Sequence, residues 1–398
     1  LPPTQYPAMQ HRFPLSDIDF GPEEEQAVAE VVRSKWLSTG PRTAAFEAEF
    51  AEYVGADHAV MVSSCTAGLH LALLAVGIGP GDEVLVPSYT FVASANAVLY
   101  CGATPVFVDI TGEHDLNLSP DDAAAKITPK TKAIVAVHMC GYPAAMDRIL
   151  ALAEQHDLRV IEDACHALGA DYHAAEPASP LHGKHAGTLG DLGCFSFYAN
   201  KNLPVGEGGM VVTDDPDLAQ YVRLGRSHGM TKTSWDKASG KASGYDVVQT
   251  GFNYRATEFT AALGSVQLRK LDRHNATRRT VVAAYRDALA DIEGLTIPFA
   301  DRLKDSAHHV MAVLLPDPSL VEPFRSGLDA AGIQTTHHYP PVHGFSHIRS
   351  AVGTTDLPVT VDVSSREVTL PLHPLMSPDD ARTIADAVRQ AMRVAAPV

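Results

Sequence analysis

Cysteine is scarce in this 398-residue chain: Cys65, Cys101, Cys140, Cys165 and Cys194 are scattered, mostly within apolar segments. Such scatter excludes a disulfide framework and reads as reduced thiols of a cytoplasmic protein. Positive charge is scarce too, with 31 Lys and Arg against 47 Asp and Glu, a net charge of −16 and no basic block. Nucleic acid and anionic membrane surfaces are therefore poor partners. No apolar run reaches transmembrane length, and the opening "LPPTQYPAMQHRFPLS" is too polar and Pro-rich for a signal peptide. Neither G-x-x-x-x-G-K-[ST] nor G-x-G-x-x-G occurs, and "GIGPGDEV" spaces its glycines wrongly and leads into a strand. Walker and Rossmann nucleotide sites are thereby disfavoured. Internal repeats and low-complexity tracts are missing as well.

What remains is ordinary globular composition, 45% hydrophobic and 20% charged, with length enough for two or three domains. "SDIDFGPEEEQAVAEVVRSKWL" and "TAAFEAEFAEYVGA" carry helical spacing, the first with an acidic turn after Pro22. From there to about residue 215, Ala-rich stretches alternate with β-branched runs: "AVMVSS", "EVLVPS", "TPVFVDI", "AIVAVHM", "RVIEDA", "CFSFYA" and "GMVVTD". Several lack period-two alternation, as strands buried on both faces do, and this predicts a mainly parallel sheet covered by helices. Beyond it lie a polar Gly/Ser/Lys loop over 229–250, the helical "TEFTAALGSVQLRKLDRHNATRRTVVAAYRDALADI", and a tail of mixed strands and helices. The expected division is a large domain over 1–255 and a long helix with a small α+β domain over 256–398.

Four features carry chemistry. In "SSCTAGLHLALLAVG" small hydroxyl residues stand between a strand and a helix, where an anion site or a plain N-cap both fit. "RVIEDACHALGA" ends a strand in Glu162 and Asp163. There a carboxylate either caps the next helix or stabilises a protonated heterocyclic nitrogen. Lys201, in "CFSFYANKNLPVGEGG", follows an aromatic run and precedes a glycine cluster. A buried amine in such a place is a nucleophile toward carbonyls, and a loop lysine elsewhere is simply solvated. His337, His338, His343 and His347 in "HHYPPVHGFSH" lack Cys or carboxylate partners. They read as lining for a polar substrate pocket rather than as a zinc site. In this order, an anion-binding turn, an aromatic after "PSYTF", a strand-end Asp and a Lys are the parts that hold pyridoxal 5'-phosphate (PLP).

The chain resembles the DegT/DnrJ/EryC1/StrS family of PLP-dependent sugar aminotransferases, of fold type I. The motifs are "WLSTGP", "SSCTAGLHLAL", "GDEVLVPSYTFVASANAV", "GATPVFVDI", "ITPKTKAIVAVHMCGYPAAMD", "VIEDACHALGA", "SFYANKNLPVGEGG" and "GFNYRATEFTAALGSVQL". They extend the likeness from about residue 13 to 395, and it is nearest to enzymes that aminate the 4-keto group of nucleotide-linked sugars, such as the UDP-4-amino-4-deoxy-L-arabinose aminotransferases. The resemblance implies a large domain with a seven-stranded sheet, a small C-terminal domain, and a homodimer with shared active sites. It further implies that Lys201 is the Schiff-base lysine and proton shuttle, and that Asp163 pairs with the pyridinium nitrogen. His166, where many relatives have Gln, is implied near the phenolic oxygen, and Phe91 against the ring. Backbone N–H groups of Thr66 and Ala67 and the Ser196 hydroxyl are implied at the phosphate, with Asn253 reaching the neighbouring subunit's phosphate. Cys65 stands where many relatives have Gly. His338, Tyr339 and His343 are expected to touch substrate, and no metal is expected.

The implied reaction takes an amino group from L-glutamate, leaving pyridoxamine phosphate, and gives it to a keto-sugar. Aminotransfer to a keto-cyclitol is the alternative, and a non-catalytic PLP-fold regulator is a third reading. Retention of both Lys201 and Asp163 favours an enzyme. Relatives that dehydrate sugars replace the lysine with histidine, and this chain does not.

Overall fold

The computed structural model describes residues 11–240 and 243–395. Most of the opening segment discussed above, through residue 10, lies outside the described residues, as do 241 and 242 of the polar loop. The seven β-branched runs are the strands of one sheet. They are β1 (His58–Val62), β2 (Glu83–Pro87), β3 (Thr104–Val108), β4 (Thr131–Val137), β5 (Arg159–Asp163), β6 (Leu192–Ser196) and β7 (Gly209–Thr213). Their order across the sheet is β1-β7-β6-β5-β4-β2-β3. Neighbours from β6 to β3 pair in parallel, while β7 runs antiparallel to both β1 and β6. The α/β, mainly parallel architecture expected from the sequence is therefore the one observed.

Burial on both faces explains the missing alternation. In β1, Val60 and Val62 enter the core beneath the helix Cys65–Ala75, whereas Ala59 and Met61 enter a second core on the opposite face with Phe46 and Phe50. Apolar residues are needed at every position of such a strand. The long helix Glu258–Leu289 begins with a capping box at Thr257 and packs against the helix Pro41–Val54. Gly264 lets that contact close, since a Cβ there would meet the Phe46 ring at 2.5 Å.

The far half of this helix belongs to a third core. Val281, Tyr285 and Leu289 pack there with the antiparallel pair Met311–Leu314 and Glu367–Leu370 and the helices Val321–Ala330 and Pro378–Ala395. Phe13, from the N-terminal segment, lies in the same core, and its N–H donates to Gly332 O at 3.0 Å. The chain thus crosses the small α+β unit at both ends. A short hairpin, Ile110–Gly112 with Asp115–Leu118, and the helices Ser346–Val352 and Pro358–Arg366 are additions that the sequence pattern did not show.

Candidate active site

The carboxyl ends of the parallel strands open into a cavity of about 500 Å³, lined by residues that include Thr66, Phe91, Asp163, His166, Ser196, Lys201, His338 and Tyr339. Eight of the residues expected at the site therefore share one hollow. Each arrives there for a local reason.

Lys201 sits in the return between β6 and β7. Along "CFSFY" the side chains alternate: Phe195 and Phe197 are fully buried, with Phe50 5.1 Å from Phe195 and Phe46 5.5 Å from Phe197. Ser196 and Tyr198 point the other way and line the cavity. The return is pinned by Phe197 N–H to Gly208 O, Val205 N–H to Phe197 O and Lys201 N–H to Tyr198 O, each at 2.9 Å. Burial lowers the Lys201 ammonium below the usual lysine range, against the opposing pull of Cys165, Asp163 and Cys65. A neutral, nucleophilic amine is thereby favoured.

The two carboxylates at the end of β5 divide their labour. Glu162 faces away from the cavity and is fully buried. It accepts from His138 Nε2 at 2.8 Å and from the N–H groups of Gly187, Leu189 and Gly190. His138 Nδ1 accepts from Ala144 N–H at 3.0 Å, which fixes the proton on Nε2. Burial alone would raise the Glu162 carboxyl, but these donors outweigh it and hold it below the ordinary range. Asp163 faces the cavity, where its Oδ2 accepts from Ser94 Oγ at 2.8 Å and its Oδ1 from Cys165 N–H at 3.3 Å. It caps no helix.

The helix Cys65–Ala75 points its N-terminus at the same hollow. Ser64 caps it by accepting from Ala67 N–H at 3.2 Å, which leaves the N–H groups of Cys65 and Thr66 without intrahelical partners. The Ala67 amide is thus spent on the cap and does not line the cavity. Gly209, at the start of β7, permits close approach to this turn, because a Cβ there would stand 2.6 Å from Cys65 N.

His166 donates to or accepts from the Tyr339 hydroxyl through Nε2 at 3.1 Å, while its Nδ1 is buried and has no partner. Burial, with Lys201 and His338 nearby, holds its pKa well below the usual range, so the ring is neutral. His309 lies beside it, 4.4 Å between centroids, and its Nε2 is 3.3 Å from Lys201 Nζ. Because Asn202 Nδ2 donates to Asn275 and to Ala307 O, the Asn202 oxygen faces His309 Nδ1 at 3.0 Å. The proton therefore sits on Nδ1, and Nε2 is free to accept from the lysine.

Besides Ala67, two of the expected contacts are elsewhere. His343 does not line the cavity: its N–H and Nδ1 both engage Ser88 Oγ, at 3.2 and 2.6 Å, and Phe107 packs nearby. The turn through Pro340 and Pro341 carries it past the opening. Asn253 is exposed on a segment bridged to Ser227, also outside the chain's own cavity. Ser94, Asn202 and His309 were not singled out from the sequence. Ser94 sits within the quoted "SYTFVASANAV", and the doubled His of "HHVMAVLLP" was the available hint for His309.

A phosphorylated pyridine aldehyde fits these residues. An amine, an acid for the ring nitrogen, free amides at a helix end and the flat face of Phe91 converge, and the orphaned Nδ1 of His166 awaits a polar group. Fold and site together define a PLP-dependent aminotransferase. The DegT/DnrJ/EryC1/StrS aminotransferase family model matches residues 19–389, and the chain belongs to that family. It is 41% identical over 393 residues to the spore coat polysaccharide biosynthesis protein SpsC of Bacillus subtilis, covering 96% of this chain and 98% of that one. Among solved structures it is similar to Spr1654 of Streptococcus pneumoniae in its pyridoxamine phosphate form, at 28% identity and TM-score 0.88, covering 96% and 100%. It is similar also to DesI, solved in the presence of its TDP-sugar product, at 33% identity and TM-score 0.82, covering 96% and 94%.

Proposed function

We propose that this aminotransferase moves the amino group of L-glutamate to the keto carbon, C4, of a nucleotide-linked sugar. The observation that carries the reading is the convergence of Lys201 and Asp163 on one cavity large enough for a sugar beside the cofactor. Likeness to a protein solved with its TDP-sugar product supports a nucleotide-linked acceptor.

When bound, PLP supplies an electron sink for the carbon that loses its proton. The chain's residues do the rest. Asp163 keeps the ring nitrogen protonated, and Ser94 holds the carboxylate in place. Lys201 would bind the aldehyde and would hold and move the proton at its Nζ, with His309 Nε2 placed to accept from that amine. The Cys65 and Thr66 amides and Ser196 hold the phosphate, Phe91 covers the ring, and His338 and Tyr339 line the side open to the sugar. Asn253, exposed and away from its own cavity, serves the phosphate of a second subunit, so the working unit is a homodimer. The division into 1–255 and 256–398, and residence in the cytoplasm, belong to the same reading. No helix among the described residues is long and apolar enough to cross a membrane.

The test supplies L-glutamate with matched panels of nucleotide-linked 4-keto sugars, 3-keto sugars and keto-cyclitols, with products weighed by mass spectrometry. Amination confined to the nucleotide-linked 4-keto panel is expected. Amination confined to cyclitols or 3-keto sugars overturns the acceptor. Turnover by Lys201→Ala equal to that of the native chain overturns the site.

A further inference from the structure

Two thiols of the cavity take no part in the chemistry above. Cys65 opens the helix Cys65–Ala75 and Cys165 lies two residues past β5, yet their Sγ atoms approach to 3.0 Å. With a carboxylate oxygen of Asp163 they form a trio whose donor atoms all lie within 4.8 Å of one another. Among the described residues no other trio of His, Cys, Asp or Glu side chains meets so closely, those of the histidine loop included.

The elements that bring the thiols together are rigid ones, a capped helix start and a strand end. Both cysteines line the same hollow, which has room for a further ligand. The trio is acidic, and the one opposing charge beside it is Lys201, which pulls both thiols downward more weakly than burial and Asp163 push them up. At Cys65 the hydrogen bond with Cys165 favours the thiolate, but burial and the Asp163 carboxylate outweigh it and push the thiol up to about 12. At Cys165 the hydrogen bond with Cys65, burial and Asp163 all push upward. A divalent cation reverses this penalty, because it supplies the positive charge that the trio lacks and ionises the thiols it binds. Two sulfurs and an oxygen suit a soft tetrahedral ion, with the fourth position left open. Zinc–sulfur bonds of about 2.3 Å place two sulfurs about 3.8 Å apart, so the pair needs to spread by only about 0.8 Å.

We propose that, in the absence of cofactor, Cys65 Sγ, Cys165 Sγ and an Asp163 oxygen bind one thiophilic divalent cation of the zinc type, and that this ion and PLP exclude each other. Binding forms two metal–sulfur bonds and one metal–oxygen bond and releases both thiol protons to solvent. Exclusion follows because Asp163 cannot ligate the ion and hold the ring nitrogen together. That clause alone rests on the role given to Asp163.

The experiment titrates the cofactor-free chain with Co²⁺, a spectroscopic stand-in for zinc, with Cys65→Ser, Cys165→Ser and Cys101→Ser alongside. One equivalent binding with a thiolate-to-cobalt charge-transfer band, release of two protons and displacement by Zn²⁺ are expected. Cys65→Ser and Cys165→Ser each weaken binding at least about tenfold, and Cys101→Ser leaves it unchanged. Circular dichroism verifies that the variants are folded. Should either serine variant fail to fold, prior saturation of the native chain with PLP decides the matter: it abolishes the band. Absence of the band, its persistence in folded serine variants, or its equal strength in the PLP-loaded enzyme overturns the proposal. None of those failures touches transamination, so the metal site and the acceptor assignment fail separately.

Discussion

Lys201 Nζ lies 3.3 Å from Nε2 of His309, the ring nitrogen that Asn202 leaves without a proton. Burial and the neighbouring Lys201 hold His309 well below its ordinary pKa, so it stays a neutral acceptor. Replacing His309 with Phe removes the acceptor while keeping a planar ring. We expect kcat to fall about tenfold to a hundredfold, in keeping with the loss of a positioned proton acceptor, with PLP loading retained. The alkaline limb of the pH–rate profile shifts as well. Unchanged kcat and an unchanged profile would remove His309 from the proton path.

Ser94 donates to Asp163 at 2.8 Å. A hydrogen bond to a charged acceptor contributes about 1.5–3 kcal/mol, so Ser94→Ala is expected to weaken PLP binding about tenfold or more. Asp163→Asn removes the charge altogether and costs turnover more severely than Ser94→Ala does. Titration of the cofactor-free chain with PLP, read by visible absorbance, measures the first effect; steady-state rates measure the second. Equal affinity in Ser94→Ala and native protein would show the contact to be idle.

Gly209→Ala inserts a Cβ 2.6 Å from both Cys65 N and Ser64 C. Strand and helix start must part, at a cost of about 1–3 kcal/mol in stability and a larger loss of phosphate-dependent PLP affinity. Chemical denaturation and PLP titration test the two losses. Gly206→Ala is no clean control for space, because its φ of +93° strains any side chain whatever the room.

Glu367 is buried beneath His338, whose N–H it accepts at 2.9 Å, and burial pushes its carboxyl up to about 8. The unfolded chain releases that proton near the ordinary 4.5. Between these values the folded protein holds a proton that the unfolded one does not. This contribution is therefore complete below 4.5 and is lost as pH rises toward 8, by about 1.4 kcal/mol per pH unit. Glu367→Gln flattens that part of the profile. Denaturation midpoints across the window that decline equally in both proteins would refute the assignment.

The large sheet was readable because strands covered on both faces must be apolar throughout, and runs such as "AIVAVHM" announce that without alternation. Lys201 and Asp163 were readable because each lies at the end of such a run. Ser94 and His309 were not, since their meaning comes from contacts 69 and 108 residues away in sequence. His343 shares its histidine-rich stretch with His338, yet Ser88 claims it, and composition holds no record of that turn. The Cys65–Cys165 approach was equally hidden. Scattered thiols reveal proximity only after a helix start and a strand end have been folded together.

Within the seven-stranded sheet β7 alone runs against its neighbours, and the Lys201 amine rides on the bend that precedes it. A crossover connection would have carried that segment over the sheet and away. Reversal instead brings the chain straight back, so both ends of the span bearing Lys201 are stitched to one rim. Lys201 therefore inherits the stiffness of the sheet itself, and lengthening that bend by a residue should harm the enzyme more than lengthening the exposed turn at 239–240.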